Sequence, residues 1–147
     1  MPYHHLPLIS ETGLASARRE LGTALPRILG YYRQDGAASI SAIESAMQTR
    51  NPTAMVLPAH SLKGESRQLG VERLAELAQH LEMTARQCIE DRISLPDELA
   101  TDVRALRGLF HETVAHLERA VGHDAAVATR PRASGASQRP VFGRRAS

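Results

Sequence analysis

The chain has 147 residues, enough for one domain with a substantial core, and only 3% of them are aromatic, with no Trp. No apolar run approaches the roughly 18 residues of a membrane-spanning helix, no charged-then-apolar leader opens the sequence, and the single cysteine, Cys88, excludes an intramolecular disulfide, so a cytoplasmic protein is expected. The formal charge of +2 is unevenly placed: residues 124–147 hold five arginines against one aspartate, which leaves residues 1–123 acidic, so the basic balance is no argument for nucleic-acid binding by the domain.

Ala, Leu, Arg and Glu dominate, which favours helix over strand. Residues 1–9, with two prolines and the adjacent His4 and His5, read as a loose lead-in with surface histidines. Ser10 suits an N-cap and Glu11 a first turn, and Leu14, Ala17 and Leu21 share one face of a short helix ended by Gly22. Thr23 is placed to cap a second helix, with Pro26 in its first turn, where a missing amide donor matters little. Leu25, Ile28, Leu29 and Tyr32 are followed in similar phase by Ile40, Ile43 and Met47, so one long helix is expected to about Arg50, despite Asp35-Gly36. Asn51-Pro52 restarts the pattern as an N-cap followed by proline at the first helical position, and this third helix runs to about Leu69, closed by Gly70. The next spans about Val71 to Asp91, with Leu74, Leu77, Ala78, Leu81, Ala85, Cys88 and Ile89 as its core stripe. Pro96, Asp97 and Glu98 open a last helix to about Val121, buried along Leu99, Val103, Leu106, Phe110, Val114 and Leu117.

Four substantial helices on short turns predict an all-α fold, an antiparallel up-down four-helix bundle with a short extra N-terminal helix over one end. The domain is expected to occupy residues 1–123. Residues 124–147, rich in Pro, Ser, Gly and Arg, read as a basic disordered tail, either idle or able to bind nucleic acid or an acidic partner.

The third helix carries the unusual stretch, Ala59-His60-Ser61-Leu62-Lys63-Gly64. At about 100° per residue with Met55 at zero, Ala59, Leu62, Ser66 and Leu69 fall within about 40° of one another's stripe centre. His60 lies about 140° away, with Lys63 near 80°, Arg67 near 120° and Gly64 near 180°. The pattern that buries Leu62 and Leu69 therefore turns His60 into water, between cations. Lys63 is the only lysine in the chain. Gly64 costs its helix about 1 kcal/mol against alanine, and at i+4 it leaves the imidazole open on one side. An uncharged imidazole nitrogen is a nucleophile able to carry a covalent group, and the flanking cations suit an anion. Pro58 removes one helical bond a turn before His60 and predicts a kink. If phase is preserved, Val56 and Leu57 flank His60 as an exposed docking patch; otherwise the kink turns one of them inward.

This stretch resembles the histidine-containing phosphotransfer (HPt) domains of two-component phosphorelays. Their motif reads roughly Ala-His-x-Leu-Lys-Gly, then a small apolar-Gly pair. Ala59, His60, Leu62, Lys63, Gly64, Leu69 and Gly70 match it, and Leu74, Leu77, Leu81 and Glu82 echo the family's next helix. Glu65 and Arg67 stand where small residues are more usual, and Pro58 is odd in a helix interior. The resemblance implies that His60 accepts a phosphoryl group on Nε2 from the phospho-aspartate of a receiver domain of a hybrid histidine kinase, then passes it to the receiver of a response regulator. Lys63 would stabilise the phosphoryl charge with Arg67 as an auxiliary, and Gly64 would give access. No cofactor of its own is expected; the Mg²⁺ would belong to the partner receiver.

With no glycine-rich phosphate loop and no room for an ATP-binding domain, the chain is not expected to be a kinase on its own, and the resemblance implies a phosphoryl carrier. The competing reading is a non-catalytic helical adaptor that binds a signalling protein through Val56, Leu57 and the His60 face. A dimeric kinase-like bundle fits less well, because an acidic residue and a proline usually follow a kinase histidine, and four helices within one chain point to a monomer. His111 and His116 are five apart, not the four a zinc-protease helix needs, and with His80 they read as surface histidines.

Overall fold

The computed structural model describes residues 2–128. Five α-helices follow in order: α1 (Glu11–Leu21), α2 (Leu25–Gln48), α3 (Pro52–Gln68), α4 (Arg73–Asp91) and α5 (Leu99–Ala128). There is no β-strand among the described residues, only an isolated bridge between Ile9 and Val71. The four long helices pack in a ring, α2 on α3, α3 on α4, α4 on α5 and α5 back on α2. Their inward stripes meet in one core that includes Leu29, Ile40, Ile43, Leu62, Leu74, Leu81, Leu106 and Phe110.

The helix starts follow local chemistry in two places. The Ser10 hydroxyl accepts from the Gly13 amide, and the Asn51 side chain accepts from the Ala54 amide with Pro52 next in line. Thr23 does not act as a cap. Gly22–Ala24 form a 3-10 turn, and α2 starts from Ala24, which has no side-chain oxygen. The turn itself carries the chain from α1 into α2, so no side-chain cap is used. α2 continues through Asp35-Gly36 because Gly36 is where the Phe110 ring from α5 lies against it. A Cβ there would come within 2.5 Å of that ring.

Three of these expectations fail. The N-terminal segment is not loose: Tyr3 is buried, its hydroxyl donates to Asp102 Oδ1 at 2.9 Å, and Arg73 donates from Nε and Nη2 to the Leu6 carbonyl at 2.9 and 2.8 Å. Ile89 is exposed, because it lies in the last turn of α4, where the helix nears its left-handed cap at Arg92. The last helix begins at Leu99, not Pro96, and runs through Gly122 to Ala128, past the expected domain edge. His80 lies on the surface as expected, with Nε2 3.4 Å from Asp102 Oδ2. Of the expected tail, residues 129–147 lie outside the described residues.

Gly70 sits at φ 77°, and a Cβ on it would come within 2.5 Å of the Leu14 backbone nitrogen. Its carbonyl accepts from Ser10 N at 2.7 Å. Only glycine suits both the left-handed backbone and this contact, so the α3–α4 turn fixes the start of α1 and with it the N-terminal segment along α4.

Candidate functional site

α3 runs unbroken through Pro58. Met55, Ala59, Leu62 and Ser66 are fully buried, as the helical wheel requires. The Ser66 hydroxyl is not wasted in the core, since it pairs with the Tyr32 hydroxyl of α2 at 2.8 Å. On the opposite side the His60 side chain is 56% exposed. Leu57, one turn earlier, is 70% exposed, whereas Val56 is half-buried against the core. Of the two expected docking residues, Leu57 faces out and Val56 is turned largely inward.

The ring of His60 is held from α4. Its Nδ1 lies 3.0 Å from Oε2 of Glu82, a carboxylate only 4% exposed. Lys63 Nζ reaches the other oxygen at 2.8 Å, and Arg86 donates from Nε and Nη2 to Oε2 at 2.9 and 2.8 Å. Burial by itself pushes this carboxyl up, but the hydrogen bonds from Lys63, Arg86 and His60 outweigh it and hold the group at about 2. Glu82 is therefore ionised at neutral pH and can only accept. Its partner nitrogen must carry the proton, which assigns the Nδ1–H tautomer and leaves the lone pair on Nε2. The imidazole is thus a positioned nucleophile.

Lys63 is brought to the site, at Glu82 beside His60, with its side chain only 17% exposed. Gly64 is exposed, and a Cβ on it would meet nothing within 4 Å, so the surface beside the ring is open. Arg67 is placed differently. Its guanidinium is tied to Gln79 Oε1 at 2.7 Å and Glu76 Oε2 at 3.3 Å, one to two turns along α4 from Glu82. Glu65 turns the other way, toward α2. It is half-buried, its Oε1 is shut from water without a hydrogen-bond partner, and burial together with the charge of Asp35 pushes its carboxyl up to about 7.

The residues at the candidate site to which the sequence reading gave no role are Glu82 and Arg86. Glu82 lies about 40° from Ala78 on the wheel of α4, at the edge of its apolar stripe. The signal in the sequence is a glutamate beside a core stripe with an arginine at i+4, which pairs on one helix face. The contacts with His60 and Lys63 of α3 follow only from tertiary packing. Among the described residues no group of three or more His, Cys, Asp or Glu is placed to hold a metal ion. Glu82, the one carboxylate at His60, is already engaged by three side chains, so this donor set does not fit a cation.

The sequence model of the Hpt domain family matches residues 27–125. Among solved structures, histidine-containing phosphotransfer protein B (HptB) from Pseudomonas aeruginosa PAO1 superposes with a TM-score of 0.69 at 20% identity, over 80% of this chain and 97% of that one. At that identity the likeness is one of fold. No curated protein sequence matches the chain.

Proposed function

The chain belongs to the Hpt domain family and is a histidine phosphotransfer protein of phosphorelays, a class that works with receiver domains, and from that footing we propose that His60 is its phosphoryl acceptor. The observation that carries the assignment is the bond from Nδ1 to the buried Glu82 carboxylate, which leaves Nε2 as the lone-pair nitrogen of a largely exposed ring.

In the first step a receiver domain of a hybrid histidine kinase brings its aspartyl phosphate over α3 and α4. Nε2 attacks phosphorus in line; the N–P bond forms as the P–O bond to the aspartate breaks, and the carboxylate leaves with the electron pair. No proton moves. The Nδ1 proton stays on its bond to Glu82, whose charge offsets the positive charge the ring acquires. The second step is the reverse, onto the aspartate of a response-regulator receiver. Positioning and charge supply most of such chemistry. Lys63, one turn from His60, offsets the charge of the incoming phosphoryl group, and Arg86 shares that task from α4. Arg67, committed to Gln79 and Glu76, acts at the rim of the partner footprint rather than on the phosphoryl group. The open surface at Gly64 admits the receiver loops. The Mg²⁺ comes with the receiver. The protein acts as a monomer in the cytoplasm; no described helix is long and apolar enough to cross a membrane.

Transfer from labelled, phosphorylated receiver domains to the wild type and to His60→Gln tests the assignment. Acid-labile, alkali-stable label on the wild type alone is expected. Equal label on His60→Gln refutes it. No label on either protein, with receiver binding unchanged by the substitution, favours the adaptor reading.

A further inference from the structure

A groove of about 740 Å³ lies between α4 and the N-terminal segment, which walls it at Tyr3 and Leu6. Glu72, Glu76, Gln79 and Met83 line its other side, three or four residues apart, so they form one ridge. Arg67 is bound to Gln79 and Glu76, and His80 faces Asp102. His5 and Glu72 have no side-chain partner among the described residues, which leaves Glu72 as the unpaired carboxylate of the groove. Farther along, Leu6 packs only in part against the core and Met83 is 56% exposed. The groove therefore offers an anion at one end and apolar surface toward the other. We propose that it takes the chain's own basic segment, residues 129–147, with Arg139 at Glu72 and Phe142 between Leu6 and Met83.

Two observations support that occupant. The first is reach. Ala120 of α5 shares a cleft with Leu8 and Ile9, and the Leu8 carbonyl accepts from Glu72 N at 3.2 Å. Ala128, where α5 ends, is about 12 Å of helix beyond Ala120. With about 15 Å allowed for crossing the cleft and Leu8, Glu72 is within about 30 Å of Ala128. Arg139 can extend about 36 Å from Ala128, so the segment spans the gap. Tethering raises its local concentration toward millimolar, so weak contacts suffice to hold it. The second is the match of pattern. Residues 129–147 hold five arginines and no acidic residue, against an acidic domain, and Val141 and Phe142 are their only large apolar side chains. Pro140 biases Arg139 toward extended backbone. Arg139 and Phe142 are then about 10 Å apart, the rise from Glu72 to Gln79 along α4. Side chains on a helix lean toward its N-terminus, which brings the Met83 thioether back to that level, where sulfur against an aromatic ring is favourable.

The test is NMR of the full chain with its methionine methyl groups labelled, in wild type, Phe142→Leu, Glu72→Lys, and Glu72→Lys combined with Arg139→Glu. The methyl signals of Met47 and the buried Met55 report on the fold. In the wild type the expected result is magnetisation transfer from the Phe142 ring protons to the Met83 methyl. Phe142→Leu should abolish it and shift the Met83 signal, with Met47 and Met55 unmoved. Glu72→Lys should weaken it about twofold, the size of one exposed ion pair, and the combined charge exchange should restore it. A Met83 signal that is the same in wild type and Phe142→Leu, with no transfer from the ring, overturns the proposal. Failure of Glu72→Lys to weaken the contact, or of the charge exchange to restore it, overturns the pairing of Arg139 with Glu72. A contact that fades on dilution belongs to the segment of a second copy and also overturns it.

Discussion

Glu65→Gln should stabilise this protein, increasingly as pH rises from 4.5 to about 7. The folded carboxyl is pushed up to about 7 from the ordinary 4.5, by burial first and by Asp35 second. The folded state therefore binds a proton that the unfolded chain releases at lower pH. The contribution of this group to stability is fully present below 4.5, falls as pH rises, and is lost above about 7. The full shift corresponds to about 3 kcal/mol at 1.36 kcal/mol per unit. Glu65 is only half-buried, so water lowers the expected penalty to about 1–2 kcal/mol. Glutamine has the shape of the protonated acid and no charge to desolvate. Urea melts of the two proteins should coincide near pH 4.5 and separate at pH 8.5, with Glu65→Gln more stable by that amount, or by roughly 4–8 °C in Tm. Asp35→Asn should recover part of the same gain. The same difference at both pH values, or a loss at pH 8.5, would refute the reasoning.

Glu82 behaves in the opposite sense. Held at about 2, it contributes stability that is present above 4.5 and is lost as pH falls through about 2. Glu82→Ala strands the Lys63 ammonium and should cost about 3 kcal/mol in urea melts, whereas Glu82→Gln should fold but slow phosphoryl uptake, because the ring loses its balancing charge. Gly64→Ala has room for its Cβ and should fold with up to about 1 kcal/mol more stability, while Gly64→Leu should fold and yet slow transfer from a receiver; an unchanged rate would remove the access argument. Gly36→Ala drives a Cβ into the Phe110 ring and should cost about 1–3 kcal/mol by thermal melt, partly recovered by Phe110→Leu.

The orientation of His60 was legible because α3 has a strict apolar stripe, and a residue 140° from a buried stripe has nowhere to go but water. The long α2 was legible for the same reason. The burial of Glu82, which the sequence placed only on the next helix, was not, since a carboxylate at a stripe edge normally reaches for solvent, and Lys63 and Arg86 arriving from two directions keep it buried. The N-terminal segment had no periodicity to read; what fixes it is one buried hydroxyl, an arginine bonded to a backbone carbonyl, and the Gly70 contact. Glu65 looked like a mere departure from a motif, and its meaning depends on its burial first and on the charge of Asp35 across the α2–α3 seam second. Val56 and Leu57 could not be separated by a wheel that Pro58 left in question; the packed helix buries most of one and exposes the other.

The shared carboxylate also sets an electrical asymmetry. At rest, two cations, Lys63 and Arg86, surround one anion, Glu82, so the face around His60 carries a net positive charge. Each phosphoryl transfer delivers one negative charge and cancels it. Approach of a loaded receiver is drawn by that field, and departure of the group begins from a face that has lost it. Added salt should therefore slow loading more than unloading, and the carrier's bias between filling and emptying becomes a function of the ionic strength around it.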